Sequence, residues 1–143
     1  MTIQDPITVV GAGLMGTGIA HAFVATGHAV TLVDNQPAAL QRATAGIGKI
    51  LADGVRLGKA TQADADAALA RLKTAAGLGE APRDSQLVVE TATENLAIKQ
   101  ALMREAESRF AAETVFATNT SALDVNCRAH DVDNLFVVDA SFF

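Results

Sequence analysis

Short runs of apolar, β-branched residues recur along the chain, and after each run the apolar positions return every three or four residues. Ile7, Val9 and Val10 form the first run, which ends at Gly11. From Leu14, the residues Ile19, Ala20, Phe23 and Val24 take up helical spacing as far as Gly27, a good helix terminator. Ala29–Val33 predicts a second strand that stops at Asp34, with Asn35 and Pro37 marking a turn. A helix is predicted from Ala38 to Leu57, with Ile47, Ile50, Leu51 and Leu57 on one face and breaks at Gly54 and Gly58. Thr61 suits a helix N-cap, and Ala65, Ala68, Leu69 and Leu72 extend a second helix to Lys73. These two helices read as a hairpin inserted in the fold.

The stretch "AAGLGEAPRDS" reads as a loop with room for a very short strand. A strand at Gln86–Glu90, a helix from Asn95 to Phe110, a strand at Val115–Thr118, a weaker helix near Leu123–Ala129 and a strand at Leu135–Val138 complete the pattern. Alternating apolar strands and helices predict an α/β fold, a doubly wound parallel (Rossmann) sheet joined by right-handed crossovers.

Composition narrows the possible functions. With 143 residues, half of them hydrophobic, the chain can build the core of one domain, here 1–143. A net charge of -5 argues against nucleic acid as a partner, because gripping phosphates needs clustered Lys and Arg. The lone cysteine, Cys127, has no Cys or His neighbour at metal-ligand spacing, so no metal is expected. The first residues lack the features of a secretory signal, and no apolar run approaches membrane-spanning length. The expectation is a soluble, cytoplasmic protein.

The candidate chemistry lies in "VVGAGLMGTG", where Gly11-Ala12-Gly13-Leu14-Met15-Gly16 satisfies G-x-G-x-x-G. That pattern is weak alone and stronger here, since it closes a strand, opens a helix and precedes an acidic residue, Asp34, at the end of the next strand. Gly11 would make the tight turn, Gly13 would let a pyrophosphate approach the backbone, and Gly16 would let helix and strand pack closely. The free amides and positive dipole end of the helix favour the diphosphate. Asp34 suits the ribose hydroxyls and repels a 2'-phosphate, so the expected cofactor is NAD.

Three segments, "VVGAGLMGTGIAHAFVATGHAVTLVD", "VVETATENLAIKQAL" and "FATNTSALDV", together with "GKATQADADAALARL", closely resemble the NAD-binding half of the L-3-hydroxyacyl-CoA dehydrogenases. The resemblance spans nearly the whole chain. It implies that Glu94 and Lys99 serve the nicotinamide-ribose side of NAD, that Asn119 belongs to the cofactor site, and that Ser121 lies near the substrate 3-hydroxyl as the catalytic candidate. The same residues also allow a plainer reading, with Asn95 and Ser121 as helix N-caps and Glu94 and Lys99 as solvated charges.

The chain departs from the family at "VVDASFF", where Ser141 occupies the place of the family's catalytic His and the Glu partner has no counterpart. His21, His28 and His130 read as surface or packing residues instead. The family's C-terminal helical domain is expected to be missing as well, and the domain to be incomplete and to turn over little. A stand-alone NAD-binding or redox-sensing module is the alternative. A dehydrogenase acting on acyl-CoA or a carrier-bound acyl group, with a partner chain supplying the base, is the third reading. Phe142 and Phe143 at the end of the chain point to a homo-oligomer or partner contact.

Overall fold

The computed structural model describes residues 5–92 and 95–119, and the backbone of the strand at 135–137. Its elements are β1 (Ile7–Val10), α1 (Leu14–Ala25), β2 (Val30–Val33), α2 (Pro37–Arg56), α3 (Gln62–Ala70) and β3 (Leu72–Ala75). After a 3-10 turn at Leu78–Glu80 come β4 (Leu87–Glu90), α4 (Leu96–Arg109), β5 (Val115–Thr118) and β6 (Leu135–Val137). The six strands lie in the order β3-β2-β1-β4-β5-β6, and every neighbouring pair is parallel. The doubly wound α/β sheet is therefore as predicted. Residues 120–134, which include the helix expected near Leu123, lie outside the described residues.

Strand alternation divides the core in two. Ile7, Val9, Val30, Leu32, Leu87, Val89 and Ala117 pack with α1, α2 and α3 through Ala20, Val24, Ala43, Ile47 and Ala68. Val10, Val33, Val88 and Phe116 belong to the other cluster, with Ala106 of α4, Phe110 just after it and Leu78. Val10, Glu90 and Thr118 are in register at the carboxyl ends of β1, β4 and β5. Glu90 and Thr118 thus share the α4 side of the sheet.

Two expectations about the inserted hairpin need correction. Gly54 does not break α2, which continues to Arg56 and turns out at Leu57–Gly58. Full burial of Ile47 is worth about 2 kcal/mol, more than the ~1 kcal/mol that a glycine costs inside a helix. The buried stripe is Ala39, Ala43 and Ile47, so Leu51 is partly covered while Ile50 and Leu57 face out.

The second helix also ends earlier than its apolar spacing predicts. α3 stops at Ala70, and Leu72 and Lys73 begin β3. The deciding contact is with β2: the Val30 N–H donates to the Arg71 carbonyl at 3.0 Å, and Leu72 pairs with Val30. β3 is an edge strand with two exposed central residues, so it has no apolar run to announce it. Thr61 caps α3 as expected, in a reciprocal capping box with Asp64. Hydrogen bonds from the Thr61 backbone and hydroxyl hold the Asp64 carboxyl below its ordinary range.

Candidate functional site

Strand order reverses between β1 and β4, and ligands of doubly wound sheets bind at such a point, outside the carboxyl ends of the strands. The glycine turn lies there. Gly11 has φ +102°, and a Cβ on it would meet Ala92 Cα at 2.8 Å, so both its conformation and its surroundings exclude a side chain. A Cβ on Gly16 would collide with the Gly11 carbonyl oxygen and come within 2.8 Å of Thr91 Oγ1. Gly13 is different, since nothing lies within 4 Å of where its Cβ would be. Its bare backbone faces open space.

Helix α1 begins at this turn with Gly13 as an N-cap that offers no side-chain acceptor, and its first turn has no acid. The amides of Leu14, Met15 and Gly16 precede the first intrahelical bond, from Thr17 N–H to Gly13 O at 3.0 Å. The Leu14 side chain is 90% exposed and Met15 is also exposed, so their contribution to the site is the backbone N–H. An anion placed here would be held by amides and the helix dipole rather than by cationic side chains.

Asp34, just past the end of β2, is tied to the glycine turn. Its Oδ2 accepts from Ala12 N–H at 2.9 Å and its Oδ1 from Gln36 N–H at 2.8 Å. Each carboxylate oxygen keeps a second lone pair for a hydroxyl donor. Beside it opens a cavity of about 470 Å³, floored by Val10 and Val33 and walled by Ala76, Gly77 and Leu78 on one side and Ile98, Leu102 and Glu105 on the other. A mostly apolar slot next to a carboxylate suits a flat base attached to a ribose.

A buried polar cluster lies at the carboxyl ends of β4 and β5. Glu90 Oε2 accepts from Lys99 Nζ at 2.8 Å and from the Thr118 hydroxyl at 2.7 Å, while Oε1 accepts from Ala92 N–H at 2.7 Å. Glu90, Lys99 and Thr118 are all buried, which rules out the reading of Lys99 as a solvated charge. Asn119 follows directly, its N–H donating to the Glu90 carbonyl at 2.9 Å. Thr91 donates its hydroxyl to the Val10 and Gly11 carbonyls at 2.9 and 3.3 Å, supporting the glycine turn from below.

The structure therefore gathers Gly11, Gly13, Leu14, Met15, Gly16 and Asp34 at one mouth, with Lys99 and Asn119 across the switch point. Asn95 caps α4, its Oδ1 accepting from Ile98 N–H at 3.2 Å. Glu94, Ser121, Cys127, His130, Ser141, Phe142 and Phe143 lie outside the described residues. Sequence reasoning missed Glu90, Thr91 and Thr118, and the cavity wall after β3. The position of Glu90 and Thr118 at the carboxyl ends of inner strands was the signal that could have singled them out. Among the described residues no cluster of three His, Cys, Asp or Glu could hold a metal, and no helix is long and apolar enough to cross a membrane.

Fold and site together define a dinucleotide-binding domain, with bare main chain at the switch point of its sheet. A family described as "3-hydroxyacyl-CoA dehydrogenase, NAD binding domain" matches residues 6–137, and the chain belongs to it. The chain is 36% identical over 122 residues to a probable 3-hydroxyacyl-CoA dehydrogenase of Caenorhabditis elegans, covering 82% of this chain and 40% of that protein. It is 34% identical over 129 residues to the mitochondrial hydroxyacyl-coenzyme A dehydrogenase of Sus scrofa, covering 87% and 41%. The solved 3-hydroxybutyryl-CoA dehydrogenase of Escherichia coli superposes with a TM-score of 0.84 at 31% identity, over 96% of this chain and 29% of that one. This chain thus spans about two-fifths of the length of these two relatives. The cofactor is NAD, and the open Gly13 backbone, the uncapped α1 amides and Asp34 fit it.

Proposed function

We propose that residues 1–143 form one NAD-binding domain that serves hydride transfer at the 3-position of an acyl group carried on CoA or another carrier. The supporting observation is the bare Gly13 backbone at the uncapped start of α1, with Asp34 alongside it. NAD bound there supplies a hydride acceptor at its nicotinamide ring. Asp34 would take the adenosine ribose hydroxyls, the amides of Gly13 to Gly16 the diphosphate, and Glu94, Lys99 and Asn119 the nicotinamide end. Ser121 would sit beside the substrate hydroxyl.

The proton needs a separate acceptor. A hydroxyl without a neighbouring base does not take a proton near neutral pH, whereas an imidazole does. Ser141 at the family's His position therefore lowers the turnover expected of these residues, and it favours a second reading, a non-catalytic NAD-binding or redox-sensing module. A homo-oligomer or a partner chain bringing a base would restore catalysis. A cytosolic setting belongs to the same proposal, and the single cysteine is in keeping with it.

Two measurements test this reading. NAD at a hundred times its dissociation constant should stabilise the fold by about 2.7 kcal/mol, and the absence of any heat or shift in melting temperature on titration would end the cofactor assignment. Acetoacetyl-CoA with NADH separates the enzyme from the module: brisk NADH oxidation by this chain would contradict the role given to Ser141.

A further inference from the structure

The cavity beside Asp34 lies between two walls that come from different parts of the chain. One is α4, presenting Ile98, Leu102 and Glu105 at helical spacing, and the other is the segment leaving β3, from Ala76 to Leu78. Arg109, the last residue of α4, spans them from behind. Its Nε donates to the Leu78 carbonyl at 3.0 Å and its Nη2 to the Ala81 carbonyl at 2.7 Å. The guanidinium fork is planar and rigid, so two acceptors on one fork fix the 3-10 turn relative to the helix in both distance and tilt.

Apolar packing alone would not do this. Leu78 is buried against the cluster that contains Ala106 and Phe110, which holds the turn down. Such packing is non-directional and tolerates sliding. The width of the slot depends on the exact height of Ala76–Leu78, and a flat ring in a slot that is loose by half to one ångström forfeits roughly a quarter to a half of its dispersion contacts. Glu80 tightens the same segment, its Oε2 accepting from Ala76 N–H at 3.3 Å. Arg109 does not line the cavity itself.

We propose that Arg109 is a positioning residue that straps the turn after β3 to α4 and so sets the gap receiving the adenine ring, an inference that rests on the cofactor reading above. The effect is confined to the base end of the dinucleotide, because the glycine turn that would hold the diphosphate does not line this cavity.

Calorimetric titration of the full chain with ADP-ribose and with inorganic pyrophosphate, at temperatures well below the melting point of each variant, tests it. Arg109→Leu keeps much of the apolar stem and should lose about tenfold in ADP-ribose affinity, the size of one charged hydrogen bond. It should also show a smaller negative heat-capacity change on binding, since less apolar surface is covered, while pyrophosphate affinity stays at the wild-type level. Arg109→Lys, which keeps the charge and loses the fork, should fall between the two, and it carries the test should Arg109→Leu not fold. Unchanged ADP-ribose affinity, or equal losses for both probes, would overturn the strap while leaving the cofactor reading intact. A wild-type chain that binds neither NAD nor ADP-ribose would overturn both.

Discussion

Replacing Lys99 with Met keeps a long apolar stem and removes the ammonium that faces Glu90 at 2.8 Å. The Glu90 carboxylate then retains the Ala92 N–H and the Thr118 hydroxyl, each at 2.7 Å, but no counter-charge. Breaking a buried pair from one side costs about 3–5 kcal/mol. The two remaining charge-assisted bonds, worth about 1.5–3 kcal/mol each, place the expectation near the lower end, about 3 kcal/mol. For a domain of this size that is a fall in Tm of about 10 °C. Glu90→Gln with Lys99→Met leaves two neutral groups of similar volume and should recover at least half of the loss. Thermal and urea melts of the four species give the coupling directly as a double-mutant cycle. A Lys99→Met chain melting within about a degree of wild type, or strictly additive single effects, would refute the claim that this pair ties α4 to the ends of β4 and β5.

Gly16→Ala should abolish NAD binding and lower stability, because its methyl meets the Gly11 carbonyl, a main-chain atom that cannot step aside; a binding isotherm like that of the wild type would show that the turn is softer than its geometry implies. Asp34→Ala should weaken NAD by about tenfold or more through lost charged hydrogen bonds and weaken NADP less, so an unchanged NAD/NADP ratio would remove Asp34 from the ribose site. Asp64 holds its carboxyl below the ordinary value of 3.8 through the Thr61 bonds. A depressed folded-state pKa adds stability above the unfolded value and loses it as pH falls through the folded one. The difference in Tm between wild type and Asp64→Asn should therefore be present at neutral pH and shrink in acid, and a difference that grows in acid would contradict the capping box.

Local pattern determined a large part of this protein. The strand-turn-helix at Val9–Gly18, the acidic end of β2 and the Thr61 cap are each decided by residues within a few positions of one another, where backbone freedom, helix amides and side-chain reach leave few options. The pairing of strands decided the rest. Leu72–Ala75 is a strand because β2 offers it a ladder, and without that placement the Ala76–Leu78 segment could not be set at the carboxyl edge of the sheet. Lys99 has the composition of a surface helix residue, and only the register that brings Glu90 beside Thr118 turns it inward to a carboxylate. The physical reason is common to both cases: an edge strand and a buried charge are stabilised by partners distant in sequence, which hydrophobic periodicity along one segment does not encode.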